Sequence, residues 1–128
     1  MKCEMIAISS ILVLVTLLFG VNDSVDSSCK QSAAEQNSLM TIAEKQKFTL
    51  RRIEFLGLRH TRDPHVREKL GPFANEGDLF SRKKLVKGLQ SMSKLRAIHP
   101  VRMRDVVFYL NEPEQVIDMT ICFKERSR

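Results

Sequence analysis

Leu50-Arg51-Arg52-Ile53-Glu54-Phe55-Leu56-Gly57 is the stretch on which the fold turns. Ile53 and Phe55 alternate with charged neighbours, as a strand with one buried face requires. Gly57 follows where the chain must turn, and glycine tolerates the positive φ such turns often need. Asp63-Pro64 then sets an N-cap residue type beside one suited to the first helical position. This predicts a short helix over 64–70, with Val66 and Leu70 on one face. Gly71-Pro72 ends it, because proline disfavours helical geometry in the residue before it. Phe73 and Phe80 are expected to plug the core beneath the connection, and Gly77-Asp78 breaks the chain again.

Ser81 is a good cap for a second helix reaching about Leu95. Its apolar stripe is Leu85, Leu89, Met92 and Leu95 or Ile98, with Arg82, Lys83, Lys84 and Lys87 on the wet side. Gly88 costs up to ~1 kcal/mol against alanine inside a helix, so it implies close packing against the sheet or the other helix. Two alternating runs close the chain, around Val101–Leu110 and Val116–Lys124. The first has a phase problem. Val101, Met103, Val107 and Tyr109 share one parity and Val106, Phe108 and Leu110 the other, so Asp105 is expected to mark a bulge. Asn111-Glu112-Pro113-Glu114 is a turn cluster that makes the two runs a hairpin. Ile117, Met119, Ile121 and Phe123 form the cleanest inward face, which predicts the central strand.

This string resembles a POTRA (polypeptide-transport-associated) domain, as found in bacterial outer-membrane protein assembly factors. The resemblance covers about the last 80 residues, as a single copy. It rests on Ile53-x-Phe55-x-Gly57, Thr61-x-Asp63, Gly77-Asp78, the leucine-rich second helix and Val116-Ile117-Asp118-Met119-Thr120-Ile121-x-Phe123-x-Glu125. One step departs: where the family often has Gly-Phe or Gly-Tyr-Phe, this chain has Arg96-Ala97-Ile98-His99-Pro100, as in a diverged branch. The resemblance implies an α+β fold in the order β-α-α-β-β. Its three-stranded mixed sheet runs one-three-two, with both helices on one face and the second strand at an edge.

The chain has 128 residues, a formal net charge of +6 and a sequence pI near 9.5, which bounds it to one modest domain. Lys2 precedes an apolar run from Met5 to Val21, of a length suited to a secretory signal and short for a membrane-crossing helix. Residues 1–28 are therefore read as a signal peptide or a signal anchor. Residues 29–47, rich in Ser, Gln, Ala and Lys, are read as a linker with at most a helical turn or two through Leu39, Ile42 and Ala43. The domain occupies 48–126. Without residues 1–28 the balance is 20 basic against 12 acidic residues, which suits an anionic lipid or an acidic partner, or else a plain solvated surface. In an exported chain Cys29 and Cys122 are candidates to pair. Two free thiols are the competing reading. Cys122 shares its strand face with Asp118, Thr120 and Lys124, away from the helices.

Catalytic readings are weak. His60, His65 and His99 stand in no nucleophile–base–acid motif, no Cys-His cluster has metal spacing, and no glycine-rich phosphate loop exists. No enzyme, metal or cofactor is expected. Arg51, Arg52, Arg59, Arg62 and Arg67 suit phosphate contacts, but only Tyr109 offers a stacking aromatic, so nucleic acid is not expected either.

Protein interaction is the preferred reading, because an open edge strand accepts an extended peptide by β-augmentation. The expected peptide-binding edge is Val101, Met103, Asp105, Val107 and Tyr109, beside a groove of Leu89, Met92 and Ser93. The competing reading makes that edge purely structural, with Arg102, Arg104 and Asp105 guarding against aggregation. The resemblance implies export to the periplasm or outer-membrane association, with unfolded outer-membrane polypeptides as clients. No barrel-length run of alternating strands follows residue 126, so a separate β-barrel is the expected companion. An inner-membrane-anchored periplasmic scaffold, similar to division-septum proteins, is the alternative. A third reading has Arg82, Lys83, Lys84 and Lys87 facing anionic lipid.

Overall fold

The alternation read in residues 116–123 lands at the centre of a sheet. In the computed structural model, which describes residues 29–127, β3 (Val116–Cys122) lies between β1 (Thr49–Leu56) and β2 (Val106–Asn111), in the order β1-β3-β2. β1 runs parallel to β3, and β2 is antiparallel to it. Among the described residues three helices complete an α+β fold: α1 (Ala33–Lys45), α2 (Asp63–Leu70) and α3 (Arg82–Met92). The expected signal or anchor, with Cys3, lies outside the described residues.

The core follows from the periodicities. Ile53, Phe108, Ile117, Met119 and Ile121 supply the sheet's inner face. Val66 and Leu70 of α2, with Leu85, Leu89 and Met92 of α3, join the same cluster. Each of these side chains contributes ~1.5–3 kcal/mol by leaving water. Gly88 has the packing reason expected of it: a Cβ there would lie 2.5 Å from Leu70 Cδ1 and 3.5 Å from Phe73 Cβ. Phe80 is buried and meets Phe108 edge-on at 5.8 Å, while Phe73 is only half-buried.

Several local expectations are corrected. Residues 29–47 are not a tether: α1 buries Gln36, Met40 and Ala43, spaced four and three apart as one helical face requires. Glutamine in that stripe hid the period from a hydropathy reading. Ser32 caps α1 by accepting from the Glu35 amide at 3.1 Å. The second strand begins at Val106, not Val101. Met103–Asp105 is a 3₁₀ turn in which Asp105 accepts from the Arg102 amide at 2.9 Å. That turn causes the change of phase, in place of a bulge. The register shift in the sheet falls instead between Leu50 and Arg52 of β1. Arg51, the residue between them, donates to Asp118 and Glu114. Asp63 does not cap α2. It pairs with Arg67 one turn on at 2.9 Å, and no side chain caps that helix. Gly57 has φ +92°, as the turn after β1 demands.

Candidate interaction site at the sheet edges

The outer edge of β1 is covered by the chain itself. Leu50 donates to the Asp78 carbonyl and accepts from the Gly77 amide, both at 2.7 Å, and Phe80 donates to the Phe48 carbonyl. Further along, the Ile53 amide donates to Glu76 at 3.0 Å and its carbonyl accepts from Arg67 at 3.1 Å. The Arg67 guanidinium also lies 4.4 Å from the Phe55 ring centroid.

The edge of β2 is covered differently. The Gln31 side-chain amide donates to the Phe108 carbonyl at 3.0 Å and accepts from the Phe108 amide at 2.8 Å. One side chain thus satisfies both backbone groups that a neighbouring strand would take. Gln36 donates to the Met103 and Val106 carbonyls, and the Val106 amide donates back to Met103. The groups of one strand residue point to the same side and alternate with those of the next. The outward groups of β2 therefore belong to Val106, Phe108 and Leu110. Of these three, Leu110 is the one whose edge groups are unmatched.

This overturns the expected set. Val101 is buried, Met103 and Asp105 lie in the 3₁₀ turn, and Val107 is 4% exposed. Val107 and Tyr109 address β3, opposite Thr120 and Asp118. Tyr109, at 53% exposed, is the one expected edge residue whose side chain is open. The residues expected to line a groove do not: Leu89 and Met92 are core. Ser93 Oγ donates to the Leu89 carbonyl and accepts from the Val101 amide at 2.8 Å. Lys83, Lys84 and Lys87 face solvent. Arg82 turns toward α1, its amide donating to Glu44 and its guanidinium approaching the Asn37 carbonyl and Thr41 Oγ1 at 3.4 Å.

Cys29 and Cys122 form a disulfide with Cα atoms 6.0 Å apart. Cys122, Thr120 and Val107 share the sheet face away from the helices, so the bond carries the chain from that face past the β2 edge into α1. Energetics show what the bond does there. Ordering residues 29–31 costs about 1–2 kcal/mol per residue, whereas two hydrogen bonds return about 0.5–1.5 kcal/mol each. Gln31 is flanked by two further ties, α1 on one side and the disulfide on the other.

A second feature binds the C-terminal segment. The Glu125 carboxylate accepts from the amides of Arg59 and His60, each at 2.9 Å, and of Thr61 at 2.7 Å. The Arg59 amide, with those of His60 and Thr61, lowers the Glu125 pKa to about 2 against partial burial, which raises it. A depressed carboxylate pKa stabilises the fold above the ordinary value of 4.5, and that stability is lost as pH falls from there toward 2. The melting temperature should therefore drop between pH 5 and pH 3 in the wild type (about the span of that titration) and much less in Glu125→Gln. Equal slopes in the two proteins would contradict the assignment. Beside this loop lies a cleft of about 1070 Å³ lined by His60, His65, Arg62, Arg96 and Arg126 among others. His60 and His65 are exposed there, and no group of metal-ligating residues occurs among the described residues.

Gln31 and Gln36 went unnoticed in the sequence because neither fits a hydrophobic period. Their only signal is position, two polar residues flanking the Ser32 cap after a cysteine. Comparison with family models, with curated proteins and with solved structures finds no match for this chain.

Proposed function

We propose that the protein is a non-enzymatic, POTRA-like interaction module that receives extended polypeptide segments along the edge of β2, outside the cytoplasm. The observation that carries this reading is the two-point contact of Gln31 on Phe108, which occupies the place of an added strand. The mixed sheet in the order β1-β3-β2 and the order of its elements support it. Backbone pairing is tolerant of client sequence, while Tyr109 on the open face offers one side-chain contact. Unfolded outer-membrane polypeptides, delivered to a separate β-barrel, are the clients that suit this mode.

The test compares the full chain with its Gln31→Ala variant by fluorescence anisotropy, using a labelled ten-residue peptide of alternating valine and threonine. Gln31→Ala removes the resident competitor, so it should bind the peptide about tenfold more tightly. That change corresponds to roughly 1.4 kcal/mol, close to the net worth of the two bonds. No binding by either protein would overturn the reading.

A further inference from the structure

We infer that the cleft beside the 59–61 loop is a binding site for a sugar phosphate, a hydroxyl-bearing body that carries a phosphomonoester. The inference uses no residue of the β2 edge, so it stands or falls apart from the strand-accepting reading.

The walls of the cleft are joined by this chain's own hydrogen bonds. One wall is the start of α2 with the loop before it, which carries His60, Arg62 and His65. The other is the loop after α3, which carries Arg96. The C-terminal segment ties the two together. The Glu125 carboxylate holds the amides of residues 59–61. On the other side the Arg126 amide donates to the Ala97 carbonyl at 2.9 Å, and the His99 amide to the Lys124 carbonyl at 2.8 Å. Walls fixed in advance spare a ligand the cost of ordering them.

The charges choose the ligand. Two arginines of this fold show what a carboxylate takes, which is one guanidinium. Arg51 meets both oxygens of Asp118, at 3.0 and 2.6 Å, and Arg67 meets both oxygens of Asp63. The cleft is lined by three arginines. Arg62 and Arg96 are exposed and have no side-chain partner among the described residues. Arg126 spends Nε on the Ile98 carbonyl at 3.2 Å and neither of its terminal nitrogens. Two acids share the cleft. Glu125 has both oxygens taken by the three amides, and Glu68 is exposed on α2. Three guanidiniums beside one uncommitted carboxylate call for an anion with more oxygens and more charge than a carboxylate. A phosphomonoester offers three strong acceptor oxygens and a charge of about −1.5 to −2 near neutral pH.

The size and the remaining lining choose the body. A cleft of about 1070 Å³ is far larger than a bare ion needs and matches a small-molecule site. His60, His65 and Ser127 line it beside the arginines, and their side chains both donate and accept, as hydroxyl groups do. No Phe, Tyr or Trp among the described residues lines it, which removes the usual stacking platform for a nucleobase.

Titration of the isotope-labelled full chain with glucose 6-phosphate, read by amide chemical shifts, tests the site. Shifts should gather at residues 60–65, 96–98 and 125–127 and spare Phe108 and Leu110. Inorganic phosphate should bind about tenfold more weakly, for want of the hydroxyl contacts. Arg62→Ala should lose about tenfold or more in affinity at an unchanged melting temperature. Arg62→Lys keeps the charge without the planar fork and should recover only part of that loss. Lys83→Ala removes a charge from α3 outside the cleft and should bind as the wild type does. Phosphatidylcholine vesicles doped with a phosphatidylinositol phosphate present the same phosphomonoester on a membrane. Binding to them that Arg62→Ala abolishes, with no response to the free sugar phosphate, would place the source in a lipid headgroup. No response to any of these probes would overturn the site. Equal losses in Arg62→Ala and Lys83→Ala would also overturn it, since general basicity would then explain the binding. Equal affinity for inorganic phosphate and glucose 6-phosphate would overturn the assignment of the sugar.

Discussion

Alanine at position 57 should destabilise the fold by about 2–5 kcal/mol, against a total stability of about 5–15 kcal/mol for a domain this size. Two effects add. Gly57 holds φ +92°, a region costing an L-residue roughly 1–2 kcal/mol. A Cβ there would also collide with the Phe123 carbonyl oxygen, a backbone atom that cannot step aside. Phe123 is fixed because its own amide donates to the Leu56 carbonyl at 2.8 Å, so relief would strain the join of β1 and β3. Overpacking of this kind typically costs about 1–3 kcal/mol. Gly77→Ala is the matched control. Gly77 has φ +98° but nothing within 4 Å of the added carbon, so it should show the conformational cost alone. Urea unfolding of the two variants checks this, and equal losses would mean the collision is not felt.

Gln36→Leu should cost about 2–3 kcal/mol although it makes the buried face of α1 more apolar. Gln36 is 4% exposed and its amide reaches the Met103 and Val106 carbonyls. A buried group stripped of its partner costs about 1–3 kcal/mol, more than leucine recovers in a space shaped for an amide. Gln36→Glu sharpens the test. A carboxylate there has no proton to donate and faces two carbonyl oxygens, so the site favours its protonated form. The folded-state pKa of that glutamate is then raised. Its penalty is small below the ordinary carboxylate range and grows as pH rises through it. Denaturant unfolding at pH 4 and pH 7 should show the glutamate variant closer to wild type at the lower pH. A Gln36→Leu protein as stable as wild type would show that water satisfies these carbonyls instead.

Both predictions concern positions where chain segments distant in sequence meet, and they divide differently between sequence and structure. Gly57 was legible, since a glycine after an alternating run signals a turn that needs positive φ. The contact with Phe123 was not, because it depends on the parallel pairing of β1 with β3. The same division separates the helices. Leu85, Leu89 and Met92 repeat at helical spacing and are all apolar, so α3 declared itself. The face of α1 repeats as Gln36, Met40 and Ala43. Its first member is buried for its hydrogen bonds, so a hydropathy pattern weakens where the packing is specific.

The candidate site was less legible than the fold. The β2 edge was correctly expected to lie at the side of the sheet, but the residues named for it were those of the wrong parity and included the 3₁₀ turn. Phase shifts of this sort are set by where a strand starts, and one residue of error exchanges the outward groups for the inward ones. The coverage of that edge was invisible, because glutamine side chains carry no periodic mark of what they will bind.

By itself the sequence determined the α+β class, the strand content, the central place of Val116–Cys122 and the turns at Gly57 and Asn111–Glu114. These rest on local alternation, helical spacing and backbone freedom, which act between neighbours in the chain. Tertiary structure alone decided that residues 33–45 join the core, that Gln31 closes the β2 edge and that Glu125 locks the 59–61 loop. It also paired Cys29 with Cys122 across a separation of 93 residues. Those contacts join groups with no shared local pattern, so they exist only once the sheet and helices have brought them within reach.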